Sequence, residues 1–360
     1  MAEIASRRPA HAFVVATRKV YHPVGFKKGY NFVLWCIFAG AMLGFCLARF
    51  QYLDYYGVYC PETPSPGRGA APGECYRYNS RDLYKIGIKL HLYTILPAGF
   101  LACFQFVPAI RYKALLFHRI NGYLVVLLSL VGTAGALMIA RISFGGGVDT
   151  QTAVGLMAIM FVAALAISLY NVKKLQLEQH RAWMLRAWFY AGSIITMRLI
   201  GIIMAQVTSM QGMGPYFVAY PCDVLASFYR NSTVLYAKYP ACSSLSAHVP
   251  VEANFNLKSP ETIGASMQAT FGTALWLALA VHAIGVEIYL HLTPAEANRL
   301  RNISYQRQIE AGYCNAGRAG LTADRLGDAA IWRPEAAAIK EDLEDASITP
   351  SVHETPTAKP

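Results

Sequence analysis

His118-Arg119 and His180-Arg181 repeat one dipeptide at the heads of two long apolar stretches, while His91 and Arg198 interrupt two others. Histidine titrates near neutrality and can take up or give a proton. Arginine stays charged and presents a planar fork of donors that fits a carboxylate or phosphate. Ionisable side chains inside or at the edge of hydrocarbon are costly unless paired or wetted, so they mark sites. The chemistry on offer is oxyanion capture by Arg198 with proton exchange at His91, the two residues expected to be catalytic. Acids to oppose them are scarce, Glu287 and Asp82 being the evident ones. No aspartate-rich motif for a metal-bound diphosphate occurs and no metal site is expected, which leaves protonation-type cyclisation or isomerisation open.

The elements that carry these residues follow from composition. Hydrophobic residues make up 55% of the 360 and charged residues only 15%, too little charge to cover a soluble globule. A spanning helix needs about 20 mostly apolar residues. Six such runs are legible: Tyr30 to Tyr52, Leu83 to Pro108, Ile120 to Ile142, Ala153 to Val172, Ala182 to Val207 and Ser266 to Leu290. The expected fold is all-α, a polytopic membrane protein whose bundle of six transmembrane helices carries a disulfide-linked outer cap loop. Residues 1–29 form a basic cytoplasmic arm, 30–292 the transmembrane domain with outer loops 53–82 and 209–264, and 293–360 a cytoplasmic tail.

Lysine and arginine set the orientation, because cytoplasmic loops retain them. Arg7, Arg8, Arg18, Lys19, Lys27 and Lys28 precede the first run; Arg111, Lys113 and Arg119 follow the second; Lys173, Lys174 and Arg181 follow the fourth. Both termini are therefore expected in the cytoplasm, with the first span an uncleaved anchor. The net charge of +11 reads as topology and gives no expectation of nucleic-acid binding. Cys60 and Cys75 share one outer loop and Cys222 and Cys242 the other, so an oxidising exterior would allow disulfides, either as two local pairs or across the loops. Asn231-Ser232-Thr233 is a glycosylation sequon on the same side.

The loop from Met210 to Pro260 holds eight Tyr and Phe, among them Tyr216, Tyr220, Phe228 and Tyr239, more than a solvated linker needs. A cap over the outer mouth is expected, with an interfacial aromatic loop as the alternative. Pro294 to Tyr313 can form a polar helix. Gly317 to Pro360, rich in Ala, Glu, Asp, Thr and Pro, is expected to be disordered, which would make the tail mostly so.

Counting along each helix at about 1.5 Å per residue places His91 and Arg198 in the outer third, with Lys89 and Arg141 near the same level. A second polar layer at the inner side would gather His118, Arg119, His180, Arg181 and Arg186, with His282 and Glu287. These, with Trp183, are the expected binding residues. In the run His180-Arg181-Ala182-Trp183-Met184-Leu185-Arg186, His180, Trp183 and Met184 share one helical face. Snorkelling accounts for Arg181 and Arg186, whose long stems can reach the interface.

These residues resemble the family of multi-pass membrane proteins called domain of unknown function 2306. The likeness is carried by His91, Gln105-Phe106, His118-Arg119-Ile120-Asn121-Gly122-Tyr123, the run from His180 to Arg186, and Arg198, and it covers about Asp82 to Val207. It implies a location and a residue pattern. Fungal members look like companions of natural-product pathway genes.

Three functions fit the sequence. The first is an intramembrane enzyme or binding protein for a lipophilic small molecule with an anionic or carbonyl group. The second is a membrane electron carrier with a single b-type haem. Six spans and four span histidines are similar to the transmembrane cytochrome b family that uses ascorbate, and His118, His180 and His282 could supply one axial pair. The third is a scaffold in which the His-Arg pairs bind membrane lipids by their phosphates. Protein partners cannot be named from the residues.

Overall fold

In the computed structural model the described residues are 12–62, 69–210, 212, 214–229 and 231–334. The helices in chain order are α1 (Ala12–Tyr21), α2 (Gly29–Arg49), α3 (Glu74–Asn79), α4 (Asp82–Gln105), α5 (Pro108–Lys113), α6 (Leu115–Ile139), α7 (Val148–Lys173), α8 (Leu177–Thr208), α9 (Cys222–Ala226), α10 (Ser232–Lys238), α11 (Pro260–His291), α12 (Pro294–Glu310) and α13 (Ala323–Leu326). Two short strands, β1 (Phe217–Pro221) and β2 (His248–Glu252), pair antiparallel, Ala219 opposite Pro250. Among the described residues six helices are long and apolar enough to cross a bilayer: α2 with its continuation to Leu53, α4, α6, α7, α8 and α11. The protein is an integral, multi-pass, helical membrane protein. The fifth and sixth spans begin earlier than their apolar runs, at Leu177 and Pro260, because the polar first turns of α8 and α11 are helical too.

The chain divides into two compact units, Met1–Met160 with Phe189–Ala283, and Phe161–Trp188 with Ile284–Pro360. In the first unit α4 and α6 touch backbone to backbone. A Cβ on Gly135 would lie 2.6 Å from the carbonyl oxygen of Gly87 and 2.7 Å from the amide nitrogen of His91, so only glycine permits this approach. Gly99 likewise admits Cys46 of α2. Ala153, Met197, Ala274, Leu275 and Ala278 join α7, α8 and α11 in one apolar cluster.

Both cysteine-bearing loops are folded in their described parts. Cys60 bonds to Cys75 and Cys222 to Cys242, so pairing is local, not across the loops. The second bridge lies in a small core with Tyr220, Leu225, Leu235 and Val251, against which Phe228, Tyr229 and Tyr239 pack. The aromatics of this loop therefore build a cap. The first loop packs on it: Arg77 sits over the Tyr220 ring at 5.5 Å, and Tyr76 donates to Asp223 at 3.4 Å. Asn231 is exposed and caps α10, its side-chain oxygen accepting from the Thr233 amide at 2.9 Å.

In the second unit the expectation of disorder from Gly317 onward does not hold for the described part. Gln308 is fully buried; its amide donates to the Lys174 carbonyl and to Gln176, each at 2.9 Å, and its oxygen accepts from the Gly317 amide at 2.6 Å. Asn171 accepts from Leu321 at 2.8 Å. Asp324 binds Arg301 at 2.6 Å, and the Arg301 guanidinium lies 4.9 Å from the centre of the Trp332 ring. Composition failed to signal this order because buried polar side chains and one tryptophan hold it, not an apolar stripe. Residues 335–360 of that expectation lie outside the described residues.

Candidate functional site

Arg198 lies on α8 in the first unit. Its guanidinium rests 5.6 Å from the centre of the Phe144 ring and 5.8 Å from that of Phe271, and the two rings stack 4.0 Å apart. Among the described residues it donates no hydrogen bond and makes no ion pair. It also keeps accessible surface, so a ligand or water can reach it. Because the two rings face each other, a guanidinium at these distances from both centres stands at the edge of the stack, with its fork of N–H donors available to a carboxylate.

Phe144 is positioned by an unusual turn. The segment after α6 reads Ser143-Phe144-Gly145-Gly146, and Phe144 has φ +49°, Gly145 +81° and Gly146 +60°. Left-handed backbone is easy for the glycines but strains phenylalanine. The turn is held from outside: the Phe144 amide donates to Glu74 at 3.0 Å, and Tyr78 and Ser143 share a hydroxyl bond of 3.3 Å. Glu74 and Tyr78 belong to α3, which the Cys60–Cys75 bridge tethers.

Glu74 is the acid that residue spacing did not reveal; nothing in its sequence context beyond the adjacent Cys75 singles it out. It is 3% exposed. Burial pushes its carboxyl above the usual range, with the Arg77 charge, Tyr78 and the Phe144 amide working against that push. Burial raises the phenols of Tyr59 and Tyr78 as well, helped by the neighbouring Glu74 charge. Glu74 is thus engaged by Arg77 at 3.8 Å and by the Phe144 amide, and it lies close enough to feel the Arg198 charge without an ion pair between them.

His91 lies on α4 in the same unit, close enough to Arg198 to feel its charge without touching it. Its Nδ1 meets the Gly132 carbonyl at 2.9 Å, which requires the proton on Nδ1 and makes Nε2 an acceptor in the neutral ring. Among the described residues Nε2 has no hydrogen-bond partner. Lys89, expected at the same level, turns away: its ammonium donates to the Tyr56 hydroxyl at 3.0 Å and lies 4.4 Å from that ring's centre.

The residues of the expected inner layer are divided between the two units. His282 belongs to the first unit and is 7% exposed; its Nδ1 bonds the Phe189 carbonyl and its Nε2 the Thr196 hydroxyl, both at 2.7 Å. Both ring nitrogens are taken, so a bond to haem iron would have to displace one of them. His118 and Arg119 stand in the first turn of α6, Arg119 exposed, and two residues on Asn121 donates to the Leu101 carbonyl at 3.1 Å. In the second unit His180 Nδ1 bonds Ser168 at 2.8 Å and Arg181 donates to Tyr289 at 3.3 Å. Arg186 clamps Glu287 in a two-pronged pair of 2.6 and 2.9 Å while stacking 4.5 Å from the Trp183 ring. Glu287 thereby serves Arg186 as a counter-ion.

A family model described as "Predicted membrane protein (DUF2306)" matches residues 88–228. One relative, "Ava biosynthesis cluster protein G" of Aspergillus versicolor, is 23% identical over 326 residues, covering 78% of this chain and 94% of its own length. No solved structure matches. The matched stretch takes in His91, both His-Arg pairs and Arg198 and runs past α8 into the cap, further than the motifs alone suggested. Over residues 88–228 this chain is similar to the DUF2306 family of membrane proteins.

Proposed function

We propose that this protein acts in a secondary-metabolite pathway by holding a lipophilic small molecule at Arg198, which takes its oxyanion or polarised carbonyl, with His91 Nε2 as the group that accepts or returns a proton. The observation that carries the reading is an accessible arginine within a spanning helix that donates no hydrogen bond to any described residue. A charge so placed is costly to the fold. Phe144 and Phe271 beside it offer apolar surface for the rest of the ligand. The name of the Aspergillus versicolor relative supports the pathway assignment. His282 and Arg186, each with a protein partner, act as packing elements in this reading.

The disulfide-bonded loops face an oxidising compartment and both termini the cytoplasm, in keeping with the basic residues flanking α1, α5 and the α7–α8 turn. The test is untargeted metabolite comparison of cells producing the parent protein, Arg198→Met or His91→Leu at matched membrane levels. A compound lost or accumulated in both variants supports the assignment. Profiles identical to the parent in both would overturn it.

A further inference from the structure

At the end of the first unit where α2 and α6 begin and α4 ends, the surface has a composition of its own. By spacing, Phe13, Ala16, Thr17 and Val20 share one face of α1, and Val20 is 61% exposed. Arg18 and Lys19 occupy the opposite side. The helix is not loosely attached. Tyr21 is buried against Gly29 and stacks toward Phe32, with 6.1 Å between ring centres, and the Ala109 amide of α5 donates to the Val24 carbonyl at 3.0 Å. Gly25, at φ +94°, sits so close to Pro108 and Ala109 that a Cβ there would be 2.8 Å from the Ala109 nitrogen.

This joint carries Lys27 and Lys28 in the turn, with Arg111 and Lys113 on α5 beside it. Leu116, at the start of α6, is 72% exposed. No aspartate or glutamate occurs from residue 12 to 53 or from 83 to 148, so nothing within these segments neutralises the basic residues.

We infer that α1, the turn after it and α5 together form a docking surface for acidic phospholipid headgroups in the leaflet at that end of the spans. Val20 and Leu116 enter the boundary between headgroup and acyl chain, and the lysines and arginines meet the phosphates. Two observations select lipid as the occupant. The patch is cationic with no acid of its own, matching the charge of an acidic leaflet, and it runs without a break into α2 and α6, whose exposed residues are themselves lipid-facing. The attachment to α5 makes the surface a fixed plate, so binding orders little additional chain.

The inference is independent of Arg198 and is tested in the full chain. In a Cys36→Ser, Cys314→Ser background, which removes the two exposed free thiols, a Val20→Cys substitution carries an environment-sensitive fluorophore. The protein is placed in nanodiscs of phosphatidylcholine alone or with about one-third phosphatidylserine. Quenching by aqueous acrylamide, a neutral quencher that the lipid charge does not repel, should fall roughly fivefold or more with phosphatidylserine. Protection should return to the phosphatidylcholine level in high salt, and again in Arg18→Gln, Lys19→Gln. The salt arm compares one labelled protein with itself, so a misfolded Arg18→Gln, Lys19→Gln variant cannot mask the answer. Equal quenching in both bilayers would overturn the inference, as would protection that appears only when a cytosolic extract supplies a protein partner.

Discussion

Replacing Arg198 with methionine should make the protein more resistant to heat while removing its ligand. Most substitutions at a binding site relax a fold already balanced around its partners, but Arg198 gives its fold little. An unpaired charge at the centre of a spanning helix costs about 2.5 kcal/mol at the lower end of the insertion range, and Arg198, nearer the C-terminal end of α8 and keeping accessible surface, costs about half that. Standing at the edges of the stacked Phe144 and Phe271 rings, it regains little from them. Methionine fills similar volume and keeps much of the apolar contact. The net gain is about 1 kcal/mol, a rise of roughly 2 °C in Tm for a chain of this size. Unfolding of parent and variant would be followed by tryptophan fluorescence in identical nanodiscs. A variant that melts several degrees below the parent would refute the reasoning, because Arg198 would then be supporting structure.

Three further outcomes follow from the same geometry. His282→Leu strands the Thr196 hydroxyl and the Phe189 carbonyl, so it should lose about 2–3 kcal/mol of stability, read as a lowered Tm, and a Tm equal to the parent's would contradict the structural role. Gly135→Ala would gain about 1 kcal/mol from helix propensity alone, but its Cβ meets two backbone atoms across the α4–α6 crossing. It should therefore destabilise by about 2 kcal/mol or more, whereas Gly40→Ala, with open space around it, should be neutral or slightly favourable. In the second unit the carboxyl of Asp324 is held down to about 2 despite burial, which would raise it, by hydrogen bonds from Thr322 and Arg301 and from the Trp332 amide, against 3.8 for the free group. A folded value below the unfolded one contributes stability that is complete above about pH 4 and lost as pH falls toward 2. That contribution is about 2 kcal/mol, so Asp324→Asn at neutral pH should speed amide exchange around Leu321 and Trp332 by roughly thirtyfold, and unchanged exchange would sink the assignment.

The spans were legible because a run of about 20 apolar residues has few other uses; the cysteine spacing allowed two local disulfides or a pairing across the loops, and only the structure selects the local pairs. The first and last turns of the spans were harder to read: the polar residues Glu178, Gln179, Glu261 and Thr262 are helical through neighbouring structure, not through an apolar pattern. His91 and Arg198 could be picked out one by one, since an ionisable group inside an apolar run is visible in a string of letters. What surrounds them could not. Phe144 reaches Arg198 through a left-handed turn, and Glu74 reaches Phe144 from a loop 70 residues earlier. Only the three-glycine run Gly145-Gly146-Gly147 hinted that the chain there does something an ordinary helix end does not. Depth along a helix could not show what His282 and Glu287 are engaged with: each is held in a different unit and by a different partner.

The central claim is that Arg198 takes an oxyanion. Its most direct measurement compares a fluorescent long-chain carboxylate with its methyl ester, binding to the parent protein and to Arg198→Met in the same nanodiscs. The account predicts that the parent prefers the acid by about tenfold or more, the value of one charge-assisted hydrogen-bonded contact, and that the variant binds acid and ester alike. Equal binding of acid and ester by the parent, or an undiminished preference in the variant, would contradict it.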